Sequence, residues 1–180
     1  MTSAMKEIRF ESEICDYLAS KGWLYSPDDS GYDRELNLFP ADVFGWLEES
    51  QPLEWAKLVR PDGSEDQHAK AKARILKALA GRLDQQMASG GGTLNVLRKG
   101  FQEVSARFAM VQPQPTETLN PTLMERYGMN RLRVMRQVHF SKHRPARSID
   151  LVLFCNGLPV ATIELKTEFT QSVTRGLVQY

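Results

Sequence analysis

Hydrophobic residues recur at helical spacing over much of the first hundred positions of the chain. Over residues 7–21 and 66–87, apolar side chains repeat every three to four positions, which predicts two amphipathic helices. Pro40 and Pro52 each suit the first turn of a further helix, and Gly100 suits the end of a short helix over residues 93–99. The predicted buried stripes hold Ile8, Ile14, Tyr17 and Leu18 in the first helix and Ile75, Leu76, Leu79, Leu83 and Met87 in the long one.

Strand patterns dominate the second half of the chain. Apolar residues alternate from Val104 to Met110, and again over residues 131–140, where Arg136 is the only misfit on the apolar side. Residues 149–154 and 160–166 form two nearly continuous apolar runs separated by turn-forming residues. A short helix near Pro121 and a last one over residues 170–180 complete the prediction. The chain should build one core, or one core with a helical appendage.

Composition narrows the class of protein only modestly. The 180 residues are 42% hydrophobic and 25% charged, as in an ordinary globular protein. No apolar stretch approaches the roughly 20 residues of a membrane span, and the first residues lack the apolar segment of a secretory signal. Cys15 and Cys155 are far apart in sequence and give no disulfide framework. We therefore expect a reduced, cytoplasmic protein with no membrane partner.

Basic residues are concentrated in one part of a chain whose net charge is only +1. Residues 126–147 contain seven Arg or Lys residues and two histidines but no acid. Such a segment suits a phosphate backbone, although a merely solvated basic face is the alternative. The candidate DNA-contacting residues of this segment are Arg131, Arg133, Arg136, Lys142, Arg144 and Arg147.

Two acids and a lysine interrupt the two apolar runs that follow. Asp150 lies in the first run, and Glu164 and Lys166 end the second. An unpaired buried carboxylate costs several kcal/mol, which a bound divalent cation removes. The residues thus predict a Mg²⁺ site at Asp150, Glu164 and the main-chain carbonyl of Leu165, with Lys166 beside the same phosphate. The alternative is a surface salt bridge at the strand ends.

The turn between the two runs decides whether the acids can share a cation. With Asn156-Gly157 as a two-residue loop, Asp150 would lie opposite Ile163, and Glu164 would point to the other face of the sheet. A three-residue loop places Asp150 opposite Glu164 instead. We therefore predict a three-residue loop or a bulge. Zinc at His139 and His143 is not expected, because no cysteine pair lies near them.

These residues resemble a known family. The segments 130–140 and 149–160 and the tetrapeptide Ile163-Glu164-Leu165-Lys166 are similar to the N-terminal region of the restriction subunit of type I restriction-modification enzymes, within the PD-(D/E)xK nucleases. Residues 10–14 and 33–36 fit that family too.

The resemblance implies an α/β fold with a restriction-endonuclease-like core, in which helices flank a mixed β-sheet. The core would comprise residues 1–36 and 101–180, with a helical insertion at 37–100, in a single nuclease domain. The chain would be a fragment of a longer protein that continues into an ATP-driven motor. No Gly-x-x-x-x-Gly-Lys-Ser/Thr motif occurs here, so ATP should bind only to that motor and not to this chain.

The resemblance also assigns activity and roles. It implies Mg²⁺-dependent cleavage of double-stranded DNA, with the specificity and methyltransferase subunits of the same complex as partners. Asp150, Glu164 and Lys166 match the catalytic trio, and Glu11 matches an acid that often completes the metal site, with Glu13 as its neighbouring candidate. Gln179 occupies the place of a DNA-holding glutamine. The competing hypothesis is a nuclease-like module that holds DNA or docks subunits without cleaving.

Overall fold

The computed structural model describes residues 3–116, 120–140 and 147–165. Helices fill most of the first half, and five of the six strands lie in the second half, as the two hydrophobic periods predicted. The elements are α1 (Ser3–Ser20), β1 (Leu24–Ser26), α2 (Pro40–Ser50), α3 (Pro52–Ala56), α4 (Glu65–Asp84), a 3-10 turn (Met87–Ser89), α5 (Thr93–Lys99), β2 (Phe101–Glu103), β3 (Ala106–Phe108), α6 (Pro121–Gly128), β4 (Leu132–Val138), β5 (Ile149–Cys155) and β6 (Leu158–Ile163).

The chain forms two compact units, and their bounds differ from the predicted core and insertion. The first unit holds residues 1–30, 132–154 and 160–180, and the second holds residues 31–131 and 155–159. Strands β2 and β3 and helix α6 thus belong to the second unit, although the sequence placed them in the core. The division into a nuclease core and an insertion stays a prediction.

A four-stranded sheet with the order β1-β4-β5-β6 forms the centre of the first unit. Strand β1 pairs with β4 in parallel, with Tyr25 opposite Val134. The neighbouring strands β5 and β6 are joined by only two residues, which requires an antiparallel pair. The sheet is therefore mixed, and the predicted α/β class with a mixed sheet flanked by helices is confirmed.

Helix α1 packs on this sheet through a face that the sequence identified only in part. Cys15 is fully buried against Val134 and Leu151, and Ile14 and Leu18 pack partly buried beside them. Glu11 lies one turn before Cys15 and is also buried. The predicted stripe was wrong at two positions, because the side chains of Ile8 and Tyr17 are exposed.

Prolines and a capping box explain where helices of the second unit begin. Prolines occupy the first turns of α2 and α3, and α4 begins with a capping box between Ser64 and Gln67. The core of the unit is formed by residues of α2 to α5 and of the β2–β3 hairpin, with Trp46 fully buried. Met87 was predicted to end the α4 stripe but lies exposed in the 3-10 turn. None of the helices within the described residues combines the length and apolar character needed to cross a membrane.

Two strand predictions also need correction. The strand predicted over residues 103–111 is present only as β3, which forms a hairpin with β2, and Val104 is an exposed turn residue between them with a φ of 51°. Alternation alone does not distinguish one long strand from a tight turn followed by a shorter strand. Strand β6 ends at Ile163, three residues before the predicted end. The helix predicted over residues 170–180 lies outside the described residues.

Asn156, at the tip of the β5–β6 hairpin, is an internal anchor of the second unit. Its side chain is fully buried, accepts a hydrogen bond from the Arg131 amide at 2.6 Å and donates to the Met110 carbonyl at 3.0 Å. Asn156 Nδ2 also donates to Asn130 Oδ1 at 2.9 Å. Residues 155–159, which we call the hairpin tip, are therefore held in the second unit, whose other residues are 31–131.

Candidate functional site

Asp150 is the predicted site residue whose position the structure defines best. It lies near the start of β5, partly buried, and its Oδ2 accepts a hydrogen bond from the backbone amide of Leu165 at 2.7 Å. The contact brings the carboxylate to the main chain directly after Glu164. Glu164 itself is partly buried and has interactions of its own. Lys166 and Gln179 lie outside the described residues.

The turn between β5 and β6 has the simplest form that the sequence allowed. Asn156 and Gly157 form a two-residue loop with φ angles of 50° and 81°, as in a type I′ turn. The predicted three-residue loop is therefore wrong. Two successive left-handed residues match the twist of the hairpin, and Asn-Gly is the pair that adopts them at least cost.

The bulge, which was the other predicted solution, stays a prediction, and one packing contact supports it. Counting from the two-residue turn puts Ile163 opposite Asp150 and on the same face. Ile163 nevertheless packs in the apolar cluster around Leu151, whose side chain faces the other way from that of Asp150. Regular alternation thus fails before the end of β6. A one-residue offset of this kind is what a bulge produces, and it would turn Glu164 towards the face of Asp150.

Glu11 lies in a buried ion pair rather than at an open position. Its Oε2 accepts hydrogen bonds from Arg136 Nη2 at 2.7 Å and Nε at 2.9 Å, and its Oε1 accepts one from Gln137 Nε2 at 2.7 Å. The Glu11 side chain is only 4% exposed, and that of Arg136 is 19% exposed. Hydrogen bonding to the Tyr25 side chain, followed by the hydrogen bond to Glu11, raises the pKa of the Arg136 guanidinium. Both carboxylate oxygens are therefore engaged by donors of β4.

A backbone irregularity lets two consecutive strand residues reach the same carboxylate. Neighbours on a strand normally point to opposite faces, so Arg136 and Gln137 should not share a partner. Gln137 has a φ of 47°, in the left-handed region, which breaks this alternation. Its amide oxygen also accepts a hydrogen bond from the Ser148 hydroxyl at 2.7 Å. Ser148 comes two residues before Asp150, so the network runs from α1 through β4 to the start of β5.

Several basic residues predicted to contact DNA already have partners within their own unit. In the first unit, Arg133 donates to the Ser26 hydroxyl at 2.8 Å, and Arg136 is paired with Glu11. In the second unit, Arg131 is paired with Glu49. Arg147 is exposed. Their part in DNA binding stays a prediction, as it does for Lys142 and Arg144, which lie outside the described residues.

The groups around Asp150 match part of the predicted set of Mg²⁺ ligands. Asp150 is held beside the main chain of residues 164–165, as a carboxylate-plus-carbonyl site needs. Glu11 does not fit as it stands, because a metal ion would have to displace Arg136 and Gln137 from it. Within the described ranges no three His, Cys, Asp or Glu side chains come together in a way that could hold a metal.

Gln137 and Ser148 are the site residues that sequence reasoning missed. Neither carries a charge, and alternation assigns Gln137 to the face opposite Arg136, so no local pattern indicated their contact. A signal did exist for their neighbours. Glu11 interrupts the apolar face of α1, and Arg136 interrupts the apolar side of β4. Two opposite charges on two predicted apolar faces are expected to meet.

Comparison with known proteins identifies the family to which the chain belongs. A family model described as the N terminus of the type I restriction enzyme R protein matches residues 44–180. Helix α1, with Glu11, comes before the matched range. No curated protein matches the chain, and no solved structure does. Because the family match spans most of the sequence, the chain belongs to the family of type I restriction enzyme R protein N-terminal regions.

Proposed function

We propose that this chain is the Mg²⁺-dependent endonuclease region of a type I restriction enzyme R subunit, with a PD-(D/E)xK core that hydrolyses phosphodiester bonds of double-stranded DNA. The observation that supports it most is the Asp150–Leu165 hydrogen bond of 2.7 Å, which joins the first acid of the motif to the segment Glu164-Leu165-Lys166. Family membership adds a DNA-processing context.

Each residue of the proposed active site has a distinct role in the reaction. Asp150, Glu164 and the Leu165 carbonyl would hold Mg²⁺, which when bound activates water and stabilises charge on the phosphate. Lys166 orients or deprotonates the attacking water, or neutralises the charge that develops on the phosphate. Target choice and translocation would come from the specificity and methyltransferase subunits and from an ATP-driven motor, since nothing in the sequence resembles a base-reading element.

One observation favours a second candidate function. Glu11, which matches an acid that often completes such sites, is buried and paired with Arg136 and Gln137. A site that lacks this ligand has one carboxylate fewer for its cation. The same fold would then hold DNA or dock subunits without cleaving.

Metal binding and cleavage together distinguish these functions. We expect the complete polypeptide to bind Mn²⁺ at millimolar concentration and to lose this binding with Asp150→Asn and Glu164→Gln. With Mg²⁺, ATP and the partner subunits present, Lys166→Ala should slow plasmid cleavage by about 10²- to 10⁴-fold, the range for a group that transfers a proton. Asp150→Asn should abolish cleavage, because it removes a proposed ligand of the metal that activates the water.

The matched control is Asp16→Asn, the same chemical change at an exposed position of α1. It should leave both metal binding and cleavage unchanged. Absence of metal binding in the unsubstituted protein, together with cleavage that is insensitive to Asp150→Asn, would establish the non-catalytic function instead.

A further inference from the structure

A broad groove opens in the second unit, and none of its lining residues belongs to the segment on which the nuclease proposal rests. It encloses about 740 Å³. Residues of α4 form one part of its lining, and residues from the end of α5 through β2 to β3 form the rest. Neither the sequence motifs nor the proposed active site involves this groove.

The charged side chains that line the groove are all basic. They are Lys77 and Arg82 from α4, Lys99 from the end of α5 and Arg107 from β3. Gln85 and Gln102 add polar groups, and no Asp or Glu is among the described residues of the lining. In a chain whose net charge is only +1, such a concentration of one sign marks a surface that attracts anions.

None of these four cations forms an ion pair within the described part of the chain. Lys77 and Lys99 are exposed and appear in none of its ion pairs. Arg82 donates only to the neutral Gln85 side chain, at 2.6 Å. Glu54 accepts a hydrogen bond from the Arg107 backbone amide, is attracted by the Arg107 charge and is paired with Lys57. The groove therefore keeps most of its positive charge.

Helix dipoles explain only part of this arrangement. Arg82 and Lys99 lie in the last turns of α4 and α5, where cations stabilise a helix by complementing its C-terminal carbonyls. Lys77 is more than a turn before the end of α4, and Arg107 is on a strand. Lys77 and Arg82 are five residues apart, or about 7.5 Å along the helix axis. The four cations thus come from three different elements, and helix capping does not account for all of them.

The groove presents no exposed aromatic ring among its described lining residues. Its aromatic residues, Phe101 and Phe108, are 7% and 2% exposed and pack on each other with ring centroids 5.4 Å apart. Proteins that bind single strands usually offer exposed aromatic rings on which bases stack. No such ring is available here, whereas phosphates of a duplex need only cations and hydrogen-bond donors.

We propose that this groove binds the phosphate backbone of double-stranded DNA through Lys77, Arg82, Lys99 and Arg107, none of which belongs to the Asp150 hairpin. This deepens the proposed function, on which the choice of DNA as the polyanion rests. The groove makes no base-specific contact and adds affinity that depends strongly on salt.

The test compares two double substitutions in the complete polypeptide. Lys77→Ala with Lys99→Ala removes two groove cations, whereas Lys70→Ala with Arg98→Ala removes two exposed cations from the same two helices outside the groove. Both carry Asp150→Asn, and EDTA is present, so that no cleavage occurs. Binding of a labelled 30-base-pair duplex of arbitrary sequence is measured by fluorescence anisotropy at several salt concentrations.

Counterion release sets the expected size of the effect. Each phosphate contact contributes about 0.9 to the slope of log affinity against log salt, so the groove variant should lose about 1.8 from this slope and about 60-fold in affinity at 0.1 M salt. The control variant should stay within about threefold, because neither Lys70 nor Arg98 lines the groove.

Three results would overturn the proposal: equal losses in the two variants, no loss in either, or a loss confined to single-stranded DNA of the same length. A groove variant that binds duplex normally but fails to assemble with its partner subunits would assign the groove to an acidic protein surface instead. The outcome is independent of catalysis. Cleavage can be absent while the groove variant still weakens duplex binding, in which case only the nuclease proposal fails.

Discussion

The buried Glu11–Arg136 pair makes a quantitative prediction about the stability of the first unit. Arg136→Met keeps most of the side-chain volume but removes the cation from a carboxylate that is only 4% exposed. Leaving one partner of a buried pair uncompensated typically costs 3–5 kcal/mol. For a chain of this size that corresponds to a fall in Tm of about 6–20 °C. Urea unfolding followed by circular dichroism would measure the free energy of unfolding.

The same helix supplies a matched control. Arg9 and Glu13 form an ion pair at 2.9 Å whose side chains are 70% and 57% exposed. Arg9→Met should cost about 0.3–0.5 kcal/mol, the usual value for an exposed pair one helical turn apart. The two substitutions are chemically identical, so the difference between them isolates the effect of burial.

A double substitution then tests whether the cost comes from the isolated charge. Combining Glu11→Leu with Arg136→Met removes both charges and should restore most of the lost stability, apart from about 1 kcal/mol for the Gln137 amide that loses its acceptor. A cost of less than about 1 kcal/mol for Arg136→Met would contradict this prediction, as would a double variant that is as unstable as the sum of the two single ones.

Two further predictions concern the hairpin tip. Gly157→Ala should destabilise the protein by about 2–5 kcal/mol, because φ is +81° and the new Cβ would lie 2.5 Å from the Phe39 carbonyl oxygen. The control is Gly81→Ala, whose new Cβ has open space around it and which should stabilise α4 by about 0.4–1 kcal/mol. Thermal unfolding of both variants measures the two effects. Burial raises the pKa of the Cys155 thiol from 9.0 to about 11, so between these pH values the unfolded chain loses a proton that the folded chain keeps. The free energy of unfolding should therefore fall by up to about 2.7 kcal/mol as pH rises from 9 to 11. Urea unfolding of Cys155→Ala across this range should show a fall that is smaller by this amount. An identical pH dependence in both proteins would contradict the raised pKa of Cys155.

The sequence was most informative where structure depends on local chemistry. Prolines 40 and 52 marked the starts of α2 and α3, and Asn120 caps α6 through the Leu123 amide. Each signal acts within one turn of helix and depends mainly on residues that are neighbours in the sequence. The β5–β6 turn belongs to the same class. The three-residue loop was preferred in order to bring Asp150 and Glu164 together, and the local preference of Asn-Gly prevailed.

Features that depend on distant contacts were predicted poorly. The alternation of residues 104–110 is real for Ala106, Phe108 and Met110, which are buried, but the backbone turns at Val104 to form a hairpin. The partner of Glu11 is 125 positions away, and only the folded sheet brings them together. Likewise the basic groove collects cations from α4, α5 and β3, which show no cluster in the sequence.

The hairpin tip has a practical consequence for dissecting this protein into fragments. Because residues 155–159 belong to the second unit while the strands on either side belong largely to the first, no single continuous stretch contains either unit alone. A fragment of residues 31–131 would lack Asn156 and leave the Met110 carbonyl and the Arg131 amide without their partners. Truncation should therefore yield poorly folded pieces, and each activity is better isolated by point substitution in the intact polypeptide.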